Sequence, residues 1–182
     1  MTFWQIYDTF IKREGADKLK EWLLKTDIGK APASTCYHES YPGGLMKHSV
    51  NVFNELARLL KAYPEVKCSS ETAAIVSLLH DCCKLNCYTE DVRNKKENGV
   101  WIQVPFYKFD EAFSFGGHGS KSVYLIQKHM KLTDEEAVAI NCHMGAEHGN
   151  YYVYDAFRQY PLAMLLHTAD TASTVPCLCK EV

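Results

Sequence analysis

Hydrophobic positions along this chain recur mostly at helical spacing, with one interruption where they alternate instead. Phe3, Ile6, Tyr7, Phe10 and Ile11 form a single stripe, so residues 3–13 are expected to make an amphipathic helix ended by Gly15. Leu19, Trp22 and Leu23, with Thr26, form a second short stripe before Gly29. Together residues 1–29 are expected to cover one end of a helical bundle or to join a dimer contact. Pro32, Ser34, Pro42, Gly43 and Gly44 interrupt every period over residues 30–44, which read as an irregular loop. The Gly43-Gly44 pair permits close backbone approach just before the next helix. That helix is expected from about Leu45 to Ala62, with Leu45, Val52, Leu56, Leu59 and Leu60 on one broad apolar face and His48 among them. Tyr63-Pro64 closes it, and Ser69-Ser70-Glu71 has the composition of a cap for a helix over residues 71–83.

Residues 86–115 depart from this pattern. Val100-Trp101-Ile102-Gln103-Val104 follows Asn98-Gly99 and reads as a strand entered through a turn, with Tyr88 to Lys95 as its partner. Pro105 and the aromatics Phe106, Tyr107 and Phe109 come next, and the segment is expected to be a β-hairpin flap inserted between core helices. After Gly116-Gly117-His118-Gly119 a helix should run to about Met130. Thr133-Asp134-Glu135-Glu136 has the pattern of a capping box and starts a helix that delivers His143 near its end, before Gly145. Tyr151, Tyr152, Tyr154, Phe157 and Tyr160 suit either a packed connector or the wall of a substrate site. Pro161 opens the last helix, to about Thr171, and a short tail follows from Thr174. The expected fold is mostly α, a helical bundle with a small inserted β-hairpin flap, in a single domain over residues 1–182.

Composition narrows the function. A chain of 182 residues with 47% hydrophobic content buries a substantial core without needing metals or disulfides. Net charge is −2, from 20 basic and 22 acidic residues, which gives no support for a broad nucleic-acid-binding face. The opening Met1-Thr2-Phe3-Trp4-Gln5 lacks the pattern of a secretory signal, and no apolar run approaches the ~20 residues that span a bilayer. No membrane partner and a cytoplasmic location are therefore expected. The eight cysteines (Cys36, Cys68, Cys82, Cys83, Cys87, Cys142, Cys177 and Cys179) show no repeated C-x2-C pair and read as scattered core thiols.

The chemistry gathers around Leu78-Leu79-His80-Asp81-Cys82-Cys83-Lys84, where an apolar helical run ends in an imidazole beside a carboxylate. A buried charge there needs a partner or a metal. Company is available in His48, His118, His143 and Asp170, on stretches separated by whole helices that converge only inside a bundle. Successive helical side chains diverge by about 100°, so one ion meets both His80 and Asp81 only if it lies between them. The carboxylate can also extend to a second ion. No nucleotide P-loop, G-x-S-x-G elbow or H-E-x-x-H helix competes with this reading.

The order His48, His80-Asp81, His118, His143, Asp170 resembles the HD superfamily of metal-dependent phosphohydrolases. Tyr41-Pro-Gly-Gly-Leu-Met-Lys-His48-Ser, Gly117-His118-Gly-Ser-Lys-Ser122 and His167-Thr-Ala-Asp170 look like a bacterial and phage subgroup related to the HD module of certain 3′–5′ exoribonucleases. The resemblance covers roughly Thr35 to Ala172. It implies that His48, His80, Asp81 and Asp170 hold one divalent ion. Asp81 would bridge to a second held by His118 and His143. Imidazole and carboxylate donors suit Mn²⁺, Fe²⁺, Co²⁺, Ni²⁺ or Zn²⁺. Asp81, Lys84 and Lys121 would then act in catalysis, and His38, Lys84, Lys121 and Ser122 would contact substrate phosphate. Trp101 and Tyr107 on the flap suit stacking on a base. The implied substrate is a small phosphorylated molecule, a nucleotide or a short single strand. Two other readings stand beside this one. If only the first four ligands bind metal, a one-ion phosphomonoesterase results, and a catalytically inactive regulatory or structural module would keep the ligands without turnover. His167 is a candidate partner for Asp170, and His148, between Gly145 and Gly149, reads as either exposed or functional. The oligomeric state is left open.

Overall fold

A computed structural model describes residues 1–111, 115–146 and 151–175. The expected His148 and the thiols of Cys177 and Cys179 lie outside the described residues, as does part of the flap's end. The chain is mostly α, with one two-stranded antiparallel sheet. Its helices are α1 (Phe3–Phe10), α2 (Ala16–Leu23), α3 (Gly44–Ala62), α4 (Ser70–Leu79), α5 (His118–Gln127), α6 (Asp134–Asn141), α7 (Tyr152–Gln159) and α8 (Pro161–Ser173). A 3-10 turn, Cys82–Lys84, follows α4, and the strands are β1 (Tyr88–Glu97) and β2 (Val100–Phe109).

Helix α4 is the axis of the bundle. Every residue from Ala73 to Leu79 is buried, because α1, α3, α6 and α8 pack around it. A helix apolar on all sides has no face for water, so what it carries at its end enters a dry site. Phe3, Ile6, Tyr7, Leu19 and Leu23 belong to the same core cluster as Ile75, Leu79, Leu162 and Ala169. The N-terminal stripe is thus covered within this chain, where α1 packs on α3 and α4.

Several boundaries differ from the periodicity, each for a local reason. α1 stops at Phe10 because the Lys12 and Arg13 backbone N–H groups donate to the Glu71 carboxylate at 2.7 and 2.9 Å instead of continuing the helix. α4 stops at Leu79, short of the expected residue 83: Asp81 leaves helical geometry (φ −102°, ψ 19°), and the Cys83 N–H then donates to Ser122 Oγ at 3.0 Å. Strand β2 runs through Pro105, which is paired with Val92. Proline is tolerated because both strands of a two-stranded ribbon are edges. The Asn98-Gly99 turn has positive φ at both positions, 50° and 84°, as a two-residue hairpin loop demands. The aromatic segment read as either a packed connector or a substrate wall forms helix α7. It buries Val153 and stacks Phe157 on His167, while Tyr151, Tyr152 and Tyr154 are exposed.

Candidate metal centre

His80 occupies the C-cap of α4 and is fully buried. Its Nδ1 lies 2.9 Å from the Ser77 carbonyl one turn back. A carbonyl only accepts, so Nδ1 carries the proton and the ring is oriented with Nε2 pointing away from the helix. His143, just past α6, repeats the device with its Nδ1 2.7 Å from the Ile140 carbonyl. Both rings are 0% exposed, stand 5.0 Å apart, and leave a buried Nε2 without a hydrogen-bond partner.

Two carboxylates meet these nitrogens. His80 Nε2 is 3.4 Å from Asp81 Oδ2 and 3.6 Å from Asp170 Oδ1, and His143 Nε2 is 3.6 Å from Asp81 Oδ1. From α3, His48 Nε2 reaches Asp170 Oδ1 at 2.9 Å and Asp81 Oδ2 at 3.9 Å. Nitrogen and oxygen donors bound ~2.1 Å from one ion stand roughly 3–3.4 Å apart; the 2.9 and 3.4 Å pairs are close to that spacing, and the 3.6–3.9 Å pairs need to close by a few tenths of an ångström. Ligand atoms of His48, His80 and Asp81 fall within 4.8 Å of one another, and so do those of His80, His143 and Asp170. Two inward lone pairs with no other partner, beside two carboxylates, are a donor set that fits such an ion.

The charges reinforce one another. Burial alone would raise the Asp81 pKa, but Lys84 and His80 hold it well below the usual carboxylate range. Asp170 is likewise depressed, its burial outweighed by the hydrogen bond to His48 and by the nearby His80 ring. Burial would lower the His80 pKa, yet the Asp81 and Asp170 carboxylates raise it to about 10. Without a cation, then, the two carboxylates retain a proton on His80.

A family model described as the HD domain matches residues 45–174. The chain belongs to the HD domain family. Comparison with curated proteins and with solved structures returned no match. HD domains are mostly metal-dependent hydrolases, and the His/Asp cluster of this one brings its donor atoms close enough together to hold a divalent metal. No helix among the described residues is long and apolar enough to cross a membrane.

Within this HD domain the remaining expected site residues divide. Lys84 points inward: its Nζ lies 2.7 Å from Asp81 Oδ2 and donates to the Ala33 carbonyl at 2.8 Å. Burial disfavours the ammonium, but Asp81 raises its pKa. His38 is half-buried with its ring 4.9 Å from that of His48, and burial, with the neighbouring His48 and Lys84, pulls its pKa down to about 4. His118 is exposed at the start of α5, with Nδ1 3.4 Å from Cys83 Sγ. It is not part of the groups of donor atoms gathered around His80 among the described residues.

Four further expected site residues are placed as follows. Lys121 is buried, and its ammonium meets Glu111 Oε1 at 2.8 Å and Cys87 Sγ at 3.7 Å, contacts that tie it to the end of the hairpin. Ser122 is fully buried and accepts from the Cys83 N–H, so it braces the turn after Asp81. Trp101 is 67% exposed beside the hairpin turn. Tyr107 lies at the ribbon's base, its N–H donating to the Thr35 carbonyl at 3.2 Å. Six residues of strand separate those two rings by about 20 Å, too far to clasp one base.

His167 was the residue least readable from sequence. Its Nδ1 lies 2.7 Å from the His143 carbonyl, so it positions the backbone of a ligand and not the Asp170 carboxylate. Gly145 makes room for it: a β-carbon there would stand 2.7 Å from the imidazole, and φ is +77°. Cys82 and Cys83 are buried and burial pushes both thiols up, Cys83 to about 12, which leaves them protonated and poor nucleophiles.

Proposed function

We propose that this HD domain is a divalent-metal phosphohydrolase acting on phosphate esters of nucleotides or short single strands. The observation that carries the reading is the pair of buried, unpartnered Nε2 atoms of His80 and His143 aimed at Asp81 and Asp170. His48, His80, Asp81 and Asp170 would hold one ion. A bound ion of this kind supplies Lewis acidity toward a phosphoryl oxygen and lowers the pKa of a coordinated water.

The chain's own residues prepare for that chemistry. Asp81 turns Oδ2 toward His48, His80 and Lys84 and Oδ1 toward His143, which supports a carboxylate able to serve two positions. Lys84 uses two of its three N–H donors on Asp81 and Ala33, and the third is assigned to a substrate phosphate oxygen. The buried α4 excludes water behind the pair. A dinuclear centre needs His118 to join His143, and Lys121 retains a supporting role through the hairpin end.

The flap supports the nucleotide preference. Trp101, Gln103, Pro105, Tyr107 and Phe109 lie on one face of β2, so a short strand could stack at the base and again near the tip. Near-neutral net charge argues against long duplexes. On this reading the protein is cytoplasmic and sits with the bacterial and phage HD hydrolases related to exoribonuclease HD modules. The position of His118 outside the central cluster favours one alternative, a one-ion phosphomonoesterase. Turnover by the Mn²⁺-loaded protein on p-nitrophenyl phosphate, its bis ester, mononucleotides, cyclic dinucleotides and short oligonucleotides tests both. Hydrolysis of diesters supports the two-ion reading, monoesters alone support one ion, and no turnover on any of them removes the enzyme.

A further inference from the structure

A second group of donors lies beside the centre, on the loop between α2 and α3. His38, Glu39 and His48 each place one ligand atom within 4.8 Å of the other two. His38 Nε2, Glu39 Oε2 and His48 Nδ1 are all buried and all lack a hydrogen-bond partner. His48 is 0% exposed, and its Nε2 is committed to the carboxylate side at 2.9 Å from Asp170. Its other nitrogen is therefore buried with nothing to satisfy it, a costly arrangement unless something binds there.

The loop is built to hold these donors in place. Glu39 has a positive φ of 39°, uncommon for a residue with a side chain. Ser34 Oγ donates to the His38 carbonyl at 2.7 Å and accepts from the Tyr37 N–H at 2.9 Å, while the Ala33 N–H donates to the Glu39 carbonyl at 3.1 Å. Glu39 Oε1 accepts from Asn51 Nδ2 at 3.3 Å, which fixes one carboxylate oxygen and leaves the other free for a ligand. The loop sits hard against α3, since a β-carbon at Gly44 would lie 1.9 Å from the Glu39 carbonyl oxygen. Only glycine lets the carboxylate come this close to His48.

We propose that His38, Glu39 and His48 form an additional site for a divalent transition-metal ion on the Nδ1 side of His48; with the central site also filled, His48 bridges the two ions as an imidazolate and its ring proton leaves to solvent. Two imidazoles and a carboxylate suit Zn²⁺ or Mn²⁺, and three protein donors leave a position for water or a phosphate oxygen. The HD match begins at residue 45, so His38 and Glu39 come from outside the matched span.

The test compares wild type, Glu39→Gln, a His38→Ala/Glu39→Gln double variant and Asp170→Asn. Ions per chain are counted by elemental analysis after dialysis against Zn²⁺ or Mn²⁺, and affinities are taken by titration calorimetry. Glu39→Gln keeps an oxygen for Asn51, so the loop should fold, and matching circular dichroism melts will check that. The expected result is one ion fewer per chain in the double variant, at least tenfold weaker binding of that ion in Glu39→Gln, and retention of the central ion in both. Asp170→Asn should show the reverse, with central binding weakened and the loop ion kept. Unchanged stoichiometry and affinity in both loop variants would overturn the loop site while leaving the hydrolase reading intact. A wild-type chain that takes up neither ion would overturn both.

Discussion

Ser77 and Ile140 lend no side chain to the centre, yet their carbonyls decide which nitrogen of His80 and of His143 faces inward. At this scale the distinctive feature is competition between a proton and a metal for His80. The Asp81 and Asp170 carboxylates hold its pKa near 10 in the metal-free chain. Metal binding must then release that proton, so affinity should rise with pH, by about tenfold per unit between roughly pH 7 and 9. Calorimetric titrations in buffers of different ionisation enthalpy measure the proton directly, and a pH-independent affinity with no proton released would contradict the assignment. A second residue-scale expectation concerns the two outer histidines. His143→Ala should cut turnover at least 100-fold when assayed well below its melting temperature, which should itself fall because a buried ring and its Nδ1 bond to the Ile140 carbonyl are lost. If the centre is dinuclear, His118→Ala should lower turnover comparably; wild-type turnover in that variant would favour the one-ion form.

Elements are held in register around α4 by an ion-pair network that periodicity cannot reveal. Arg13, just past α1, makes a paired contact to fully buried Glu136 at 2.6 and 2.7 Å, and Thr72 Oγ1 donates to the same carboxylate at 2.9 Å. Glu136 is also the third residue of the capping box that starts α6. The box was legible from Thr133 and Glu136, whereas Arg13, 123 residues distant, carried no local signal. Arg13→Ala leaves a buried carboxylate unpaired and should cost roughly 3–5 kcal/mol. At about 2–4 °C per kcal/mol for a chain of this size, the melting temperature should fall by roughly 10 °C. A fall under ~2 °C would mean that the pair is dispensable. The hairpin offers a different test. Trp101→Ala should slow hydrolysis of oligonucleotides about tenfold or more and leave mononucleotides unaffected, since it stands some 20 Å up the ribbon from Tyr107. Tyr107→Ala should affect both classes, and equal activity in all these combinations would remove the base platform.

For the whole molecule, the helices other than α7, the hairpin and the convergence of His48, His80, Asp81, His143 and Asp170 were readable, because buried faces impose a period and an isolated buried carboxylate stands out in an apolar run. What escaped is set by long-range contacts. Lys121 and Ser122 looked free to meet a phosphate one turn beyond His118, but Glu111, Cys87 and the Cys83 N–H engage them. Helix α7 escaped because its aromatic residues read equally well as a connector, and only its packing on α8 distinguishes the two. His38 was readable as a site residue, whereas Glu39 beside it carried no signal in the irregular stretch of residues 30–44. The central claim, that buried histidine nitrogens and carboxylate oxygens on four separate segments hold a metal, is tested most directly by anomalous diffraction from crystals grown with Mn²⁺ or Zn²⁺. An anomalous peak bounded by His48 Nε2, His80 Nε2, Asp81 and Asp170 is the predicted result. Fully loaded crystals with no anomalous density there, and His80 still protonated between the two carboxylates, would contradict it.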